Sequence, residues 1–337
     1  MSERSTSTRP KAVAVMRRHF FDEHFDTSRL ARLNDLVELV GPVLEDVDSP
    51  EAREQLADVE VIISGWGMPA LTTERLAAMP KLRGVFHCAG SVRGHVTDEV
   101  WDRDITITSA ASANAVPVVE YTVAMIVLAL KKALFVPMDR IEHGGWGDLS
   151  GYERTVGLVG LSMIGRGVAA ALPKLLPTTT ILAYDPFATP ENTAGLGVEL
   201  VSLDELCRRS DVLSIHAPNL PSTRHMIAAE QLALMPDHAT LLNTARGALL
   251  DHDALAAECA TGRIDAILDV TDPEPLPADH PLQSLPNVLL TPHIAGSRGT
   301  ELHRMTDLAL RDLTAWLDGR TQDMVGRIDR DTFERSA

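Results

Sequence analysis

Short apolar runs and longer amphipathic segments take turns along most of the chain. Residues 11–16 (KAVAVM) form a strand-length apolar run. Leu30, Leu33, Leu36, Val37 and Val40 then recur at helical spacing, which predicts a helix over 28–39. The alternation continues with a strand at 59–64, a helix at 72–79, a strand at 82–87, a helix at 97–101 and a strand at 105–108. A longer apolar helix is expected from about Pro117 to Leu134, with Pro137 placed to end or kink it. The glycine-rich loop HGGWGDLSGYE follows.

Beyond that loop the same rhythm resumes. Strands are expected at 212–216, 240–243, 264–269 and 288–291, and helices at 203–209, 228–234 and 251–260. A last amphipathic helix over 300–317, with Leu302, Met305, Leu308, Leu313 and Trp316 on one side, is expected to pack back on the N-terminal part. Strand and helix alternating with short loops predict an α/β fold of doubly wound parallel sheets. The tail from Gly319 is polar and predicts nothing.

The stretch that organises the rest is TVGLVGLSMIGRGVAAALPKLLPTTTILAYDP, residues 155–186. An apolar run (Val156, Leu158, Val159) enters Gly160 and Gly165, a helix-like segment follows, and a second apolar run ends at Asp185. This is one βαβ unit, the context in which such glycines bind a dinucleotide. Gly160 allows the tight turn and Gly165 the close approach of helix to strand. The amides of Met163 and Ile164 open the helix towards a pyrophosphate. Asp185 lies 20 residues beyond Gly165, where a carboxylate accepts from a ribose and repels a 2′-phosphate, so NAD is expected rather than NADP. Ser162 stands where the motif has its middle glycine. Its Cβ crowds the phosphate, or its hydroxyl donates to it; both readings stand.

Composition narrows the partners. At 337 residues the chain has room for two domains, and 45% hydrophobic with 23% charged residues is ordinary for a globular protein. A net charge of −16 argues against nucleic acid or an anionic membrane as partner. Cys88, Cys207 and Cys259 are scattered without metal spacing and are expected to be reduced, structural thiols in a cytoplasmic protein. The polar start MSERSTSTRPK carries no signal-peptide core, and the apolar stretch 123–130 is far short of a membrane span.

In an open parallel sheet, ligands collect at the carboxyl ends of strands. There the chain places His216-Ala217-Pro218, Asn243-Thr244-Ala245-Arg246-Gly247, Asp269 with Glu274 beyond it, and Thr291-Pro292-His293. The segments HAPNLPSTRHMI, LLNTARGALLDHDAL, DVTDPEPLP and LTPHIAGS, taken in order, resemble the signature segments of the D-isomer specific 2-hydroxyacid dehydrogenase family. The resemblance spans roughly residues 80–300.

It implies a cofactor domain (116–299) inserted into a substrate domain built from both ends of the chain (1–115 and 300–337). It also implies NAD as cofactor, a small 2-keto or 2-hydroxy acid as substrate, and a homodimer formed through the region 117–151. Arg246, Glu274 and His293 stand at the positions of the family's catalytic trio. Ala217, Pro218 and Thr223 would line the adenine side of the cofactor, Thr244 and Asp269 the nicotinamide side, and Ala245 and Arg246 would also touch the cofactor. Ala89, Gly90, Ser91 and Val92 would offer backbone amides to the substrate carboxylate. The family's basic residue is replaced by Met163, so that Arg166 would have to supply charge at the pyrophosphate.

Chemistry supports these roles independently of the resemblance. Reducing a 2-keto acid needs a hydride, a proton and a grip on the carboxylate. His293 can exchange a proton near neutral pH, Glu274 can orient its ring, and Arg246 offers a planar fork of donors. Trp66 and Arg93 either shape specificity or serve as a packed ring and a solvated charge. The reading from another class is a non-catalytic NAD(H)-sensing protein of the same fold, similar to corepressors, which needs the glycine turn but no proton donor.

Overall fold

The computed structural model describes residues 9–136 and 146–333. Its strands are β1 Lys11–Val15, β2 Glu38–Leu39, β3 Val61–Ser64, β4 Gly84–His87, β5 Thr106–Ser109, β6 Thr155–Val159 and β7 Thr180–Tyr184. They continue with β8 Val198–Leu200, β9 Val212–Ile215, β10 Thr240–Asn243, β11 Asp265–Leu268, β12 Val288–Leu290 and β13 Arg327–Ile328. The chain divides into two compact units, one of Met1–Asn114 with Ser297–Ala337 and one of Ala115–Gly296.

The first unit holds a six-stranded sheet in the order β13-β5-β4-β3-β1-β2. Alternate residues feed opposite cores. Val13, Val15, Ile62, Val85 and Ile107 pack on one face, and Ala12, Ala14, Val61, Ile63 and Phe86 on the other. Burial on both faces is what near-continuous apolar strands require, and it explains the parallel pairing of β1 to β5. Helix Leu302–Leu317 buries Leu302, Met305, Ala309, Leu310 and Leu313, and packs on helix Thr27–Leu36 and on β4 and β5. The C-terminal helix therefore does return to the N-terminal part.

The tail is more ordered than its polarity suggests. Arg327–Ile328 pairs antiparallel with β5. Asp312, fully buried in the last helix, accepts from the amides of Val325 (2.9 Å) and Gly326 (2.8 Å) and so fixes the approach of that edge strand.

The second unit holds a seven-stranded, all-parallel sheet in the order β12-β11-β10-β9-β6-β7-β8. The chain winds outwards from β6 through β7 and β8, then crosses to β9 and winds the other way. The winding reverses between β6 and β9, which is where such sheets bind ligands.

One expected helix has different limits. It runs from Ala111 to Leu130, with Pro117 inside it rather than at its start. Pro117 removes a single helical hydrogen bond near the first turns, and the remaining turns absorb the loss. The helix stops well before Pro137 because Lys132 turns inwards at φ 52°. Its buried ammonium meets Asp265 Oδ2 at 2.6 Å and Thr240 Oγ1 at 3.0 Å, partners that a continuing helix would not reach. At 20 residues, with an 18-residue stretch of mean hydropathy 1.8, this helix is long and apolar enough to cross a membrane by length and composition alone. The expectation of a segment far too short is thereby corrected. Its Val123, Ile126, Ala129 and Leu130 pack among Val156, Leu158, Val168 and Leu172 of the second unit. Residues 137–145, within the region proposed for dimer contact, and residues 1–8 lie outside the described residues.

Candidate active site

The glycine turn of the second unit is built as its spacing implies. Gly160 has φ +99°, and a Cβ there would lie 2.8 Å from the Ala217 nitrogen. A Cβ on Gly165 would lie 2.1 Å from the Gly160 carbonyl oxygen. The two glycines thus let the end of β6 pass close to the loop after β9 and let helix Met163–Leu175 start directly against the turn. The first-turn amides of Met163, Ile164 and Gly165 have no partner within their helix. Ser162 is exposed at φ −74°, and its hydroxyl donates to the His216 carbonyl at 3.4 Å.

Asp185 closes the turn. Its Oδ2 accepts from the Leu161 amide (2.7 Å) and its Oδ1 from the Phe187 amide (2.8 Å), which fixes the carboxylate beside Gly160. Met163 is 51% exposed and brings no charge. Arg166 does not replace it: Nε donates to the Leu161 carbonyl (2.9 Å) and Nη1 to the Asn192 carbonyl (2.7 Å). Across the turn, Ala217 is buried and Pro218 partly so. Thr223 Oγ1 donates to the Pro218 carbonyl (2.6 Å) and accepts from the Leu220 amide (2.9 Å), closing that loop on itself. A turn that only glycine can form, first-turn amides open to a ligand and a fixed carboxylate beyond them fit a dinucleotide.

The Arg246 loop follows β10. Asn243 shapes it: Oδ1 accepts from the Ala245 amide (3.0 Å) and Nδ2 donates to the Arg246 carbonyl (2.9 Å). Arg246 is exposed, with Nη1 on the Ala245 carbonyl at 2.6 Å. Gly247 permits the loop to touch the next strand end, since a Cβ there would lie 2.0 Å from the Thr271 carbonyl carbon. Thr244 is buried and shares a hydrogen bond with Thr122 (3.0 Å), a partner that spacing in the sequence does not reveal.

The His293 loop follows β12. His293 sits at φ 54°, and its amide donates to the carbonyls of Asp269 and Thr291, both at 3.0 Å. Its Nδ1 stands 2.7 Å from Glu274 Oε1, with the two side chains 47% and 42% exposed. A pair so exposed adds little stability, so its effect is to orient the ring. Asp269, 1% exposed, is spent on this loop. Its Oδ1 accepts from Thr291 Oγ1 (2.6 Å) and the Ile294 amide (2.8 Å), and its Oδ2 from the Ala295 amide (2.8 Å).

In the first unit, Ala89–Gly90–Ser91–Val92 leaves the end of β4. The turn is held from its carbonyl side: Ala89 accepts from the Ala110 amide (2.9 Å), and Gly90 accepts from Ser109 Oγ. Its four amides donate to no acceptor among the described residues. The same unit holds a group of largely buried rings. His87, bonded to Ser64 Oγ at 2.8 Å, has its pKa driven down to about 3 by burial. Burial likewise lowers His24, bonded to Thr306 Oγ1 at 2.8 Å, to about 4. Trp66 packs against Phe20 (4.8 Å between ring centres) and His24 (5.8 Å), and Arg93 lies over Phe333 at 5.9 Å.

Residues 124–295 match the family model described as D-isomer specific 2-hydroxyacid dehydrogenase, NAD binding domain. A D-3-phosphoglycerate dehydrogenase of Methanocaldococcus jannaschii is 32% identical over 271 residues, 78% of this chain and 51% of that protein. The chain thus spans about half the length of such relatives. A glyoxylate reductase of Thermofilum pendens is 34% identical over 307 residues, 86% of this chain and 88% of that protein. Among solved structures, D-lactate dehydrogenase from Aquifex aeolicus, complexed with NAD and lactic acid, aligns with a TM-score of 0.69 and 26% identity. That alignment covers 94% of this chain and 98% of the other. The chain belongs to the D-isomer specific 2-hydroxyacid dehydrogenase family, with NAD as its cofactor.

Proposed function

We propose that the protein interconverts a small 2-keto acid and the corresponding D-2-hydroxy acid, with His293 as general acid and base. The observation that carries this reading is the 2.7 Å contact between His293 Nδ1 and Glu274 Oε1. A carboxylate on Nδ1 sets the ring so that Nε2 is the nitrogen that exchanges a proton with the substrate oxygen. Bound NADH supplies the hydride. In reduction His293 gives its proton to the oxygen that becomes the hydroxyl, and in oxidation it takes that proton back.

Arg246 is the anion anchor of the same unit. Its loop is shaped by Asn243 and brought against Thr271 by Gly247, and its planar fork suits a carboxylate and the adjoining carbonyl. In the first unit, the four amides of residues 89–92 are proposed as donors to a substrate carboxylate. The amides of Met163 and Ile164 are assigned to the pyrophosphate and Asp185 to the ribose. Asp185 also underlies the proposed preference for NADH over NADPH.

The test is loss of NADH absorbance with glyoxylate, hydroxypyruvate, pyruvate, phenylpyruvate and a phosphorylated 2-keto acid. Turnover of at least one, abolished in His293→Ala with NADH binding retained, is the expected result. Binding of NADH without turnover of any keto acid would favour a cofactor sensor instead.

A further inference from the structure

Tyr121 belongs to none of the segments that carry the chemistry. It lies in helix Ala111–Leu130, 170 residues from Thr291, and its hydroxyl oxygen stands 2.9 Å from Thr291 Oγ1. The direction of that bond follows from counting protons. A threonine hydroxyl has one proton to give. Thr291 Oγ1 donates to Asp269 Oδ1 at 2.6 Å, and both Asp269 oxygens also accept from backbone amides, so the carboxyl acts as an acceptor throughout. Thr291 therefore donates to Asp269, and Tyr121 donates to Thr291. Burial raises the pKa of Tyr121, which keeps the phenol protonated and able to donate.

The chain of donors ends on the loop that bears His293. Asp269 accepts from Thr291 on one side of His293 and from Ile294 and Ala295 on the other. Between them His293 is held at φ 54°, a conformation that costs energy for a residue with a Cβ and persists only when its surroundings impose it. The neighbouring Thr122 makes the corresponding contact to Thr244 at 3.0 Å, so consecutive residues of one helix reach the ends of β12 and β10.

We infer that Tyr121 is a positioning residue for His293, acting through Thr291 and Asp269. This rests on His293 being the proton-transfer residue. Tyr121→Phe keeps the ring and removes only the hydroxyl, so packing is retained. Two readouts apply. Hydrogen–deuterium exchange of the Ile294 and Ala295 amides should accelerate by roughly fivefold, the loss expected for one neutral hydrogen bond. With glyoxylate and NADH, kcat should fall by a similar factor while the Kd for NADH, read by fluorescence, stays unchanged.

Thr291→Val should show the same defects, and adding Tyr121→Phe to it should do no further harm, because the route through Thr291 is already cut. Thr291→Ser should keep both properties. Unchanged exchange in Tyr121→Phe, or effects that add independently in the double variant, would overturn the inference. Turnover persisting in His293→Ala would instead remove the catalytic role of His293, a result separable from the exchange measurement.

Discussion

Gly165→Ala tests the cofactor turn most directly. The added Cβ would lie 2.1 Å from the Gly160 carbonyl oxygen, whereas a carbon–oxygen contact needs about 3.3 Å. The start of helix Met163–Leu175 must therefore retreat by roughly 1.2 Å, and the obstacle is backbone that cannot rotate aside as a side chain would. Such a retreat takes the Met163 and Ile164 amides out of reach of a pyrophosphate. Losing one charge-assisted hydrogen bond costs on the order of 1.5–3 kcal/mol, or roughly ten- to a hundredfold in Kd. Titration of NADH by fluorescence reads this directly, with circular dichroism to confirm that the sheet is intact. Gly94→Ala is the control, since its Cβ meets nothing within 4 Å. An affinity within about twofold of the parent in Gly165→Ala would refute the assignment of these amides to the cofactor.

Three other outcomes are expected. Replacing Asp185 with Ser should narrow the preference for NADH over NADPH and weaken NADH as well, because the carboxylate also holds the Leu161 and Phe187 amides; an unchanged preference would remove Asp185 from the ribose. Arg246→Lys keeps the charge but loses the fork, and kcat/KM should drop roughly ten- to a hundredfold, whereas unchanged kinetics would exclude Arg246 from the substrate. His24 and His87, lowered from 6.5 to about 4 and about 3, are neutral when folded and take protons when unfolded. Their contribution is complete above pH 6.5 and lost as pH falls towards 4, by up to about 1.4 kcal/mol per pH unit for each. Asp312, whose carboxyl is raised by burial, opposes this at the acid end. Urea unfolding from pH 7.5 to 5 should show the decline, a shallower one in His24→Gln, and a flat profile would contradict the burial of these rings.

Most of the architecture was legible because it is written in local periodicity. KAVAV, VIIS and TVGLV are apolar but for one terminal residue each because their strands are covered on both faces, and helices lie between them. What escaped depends on partners far along the chain. The end of helix Ala111–Leu130 is decided by Lys132 meeting Asp265, 133 residues away. The edge strand in the polar tail is placed by Asp312, and the Ala89–Gly90 turn by Ser109. None of these contacts leaves a trace in spacing. Glu274 and His293 were legible as residues following strand ends and within segments that resemble the family's signatures, and their 2.7 Å contact arises because β11 and β12 are neighbours in the sheet.

Two aspartates show why residue type at a strand end does not by itself assign a ligand. Asp185 and Asp269 both close an apolar run, and both were read from sequence as cofactor contacts. A carboxylate offers about four acceptor positions. Asp185, partly exposed, uses one on each oxygen for the Leu161 and Phe187 amides, which leaves about two for the ribose contact proposed for it. Asp269 is 1% exposed and takes the Thr291 hydroxyl with the Ile294 and Ala295 amides. Little of its capacity remains, and what remains does not face water. Asp185 therefore suits a ligand that comes and goes. Asp269 suits a permanent partner, and the partner it has is the loop that holds His293.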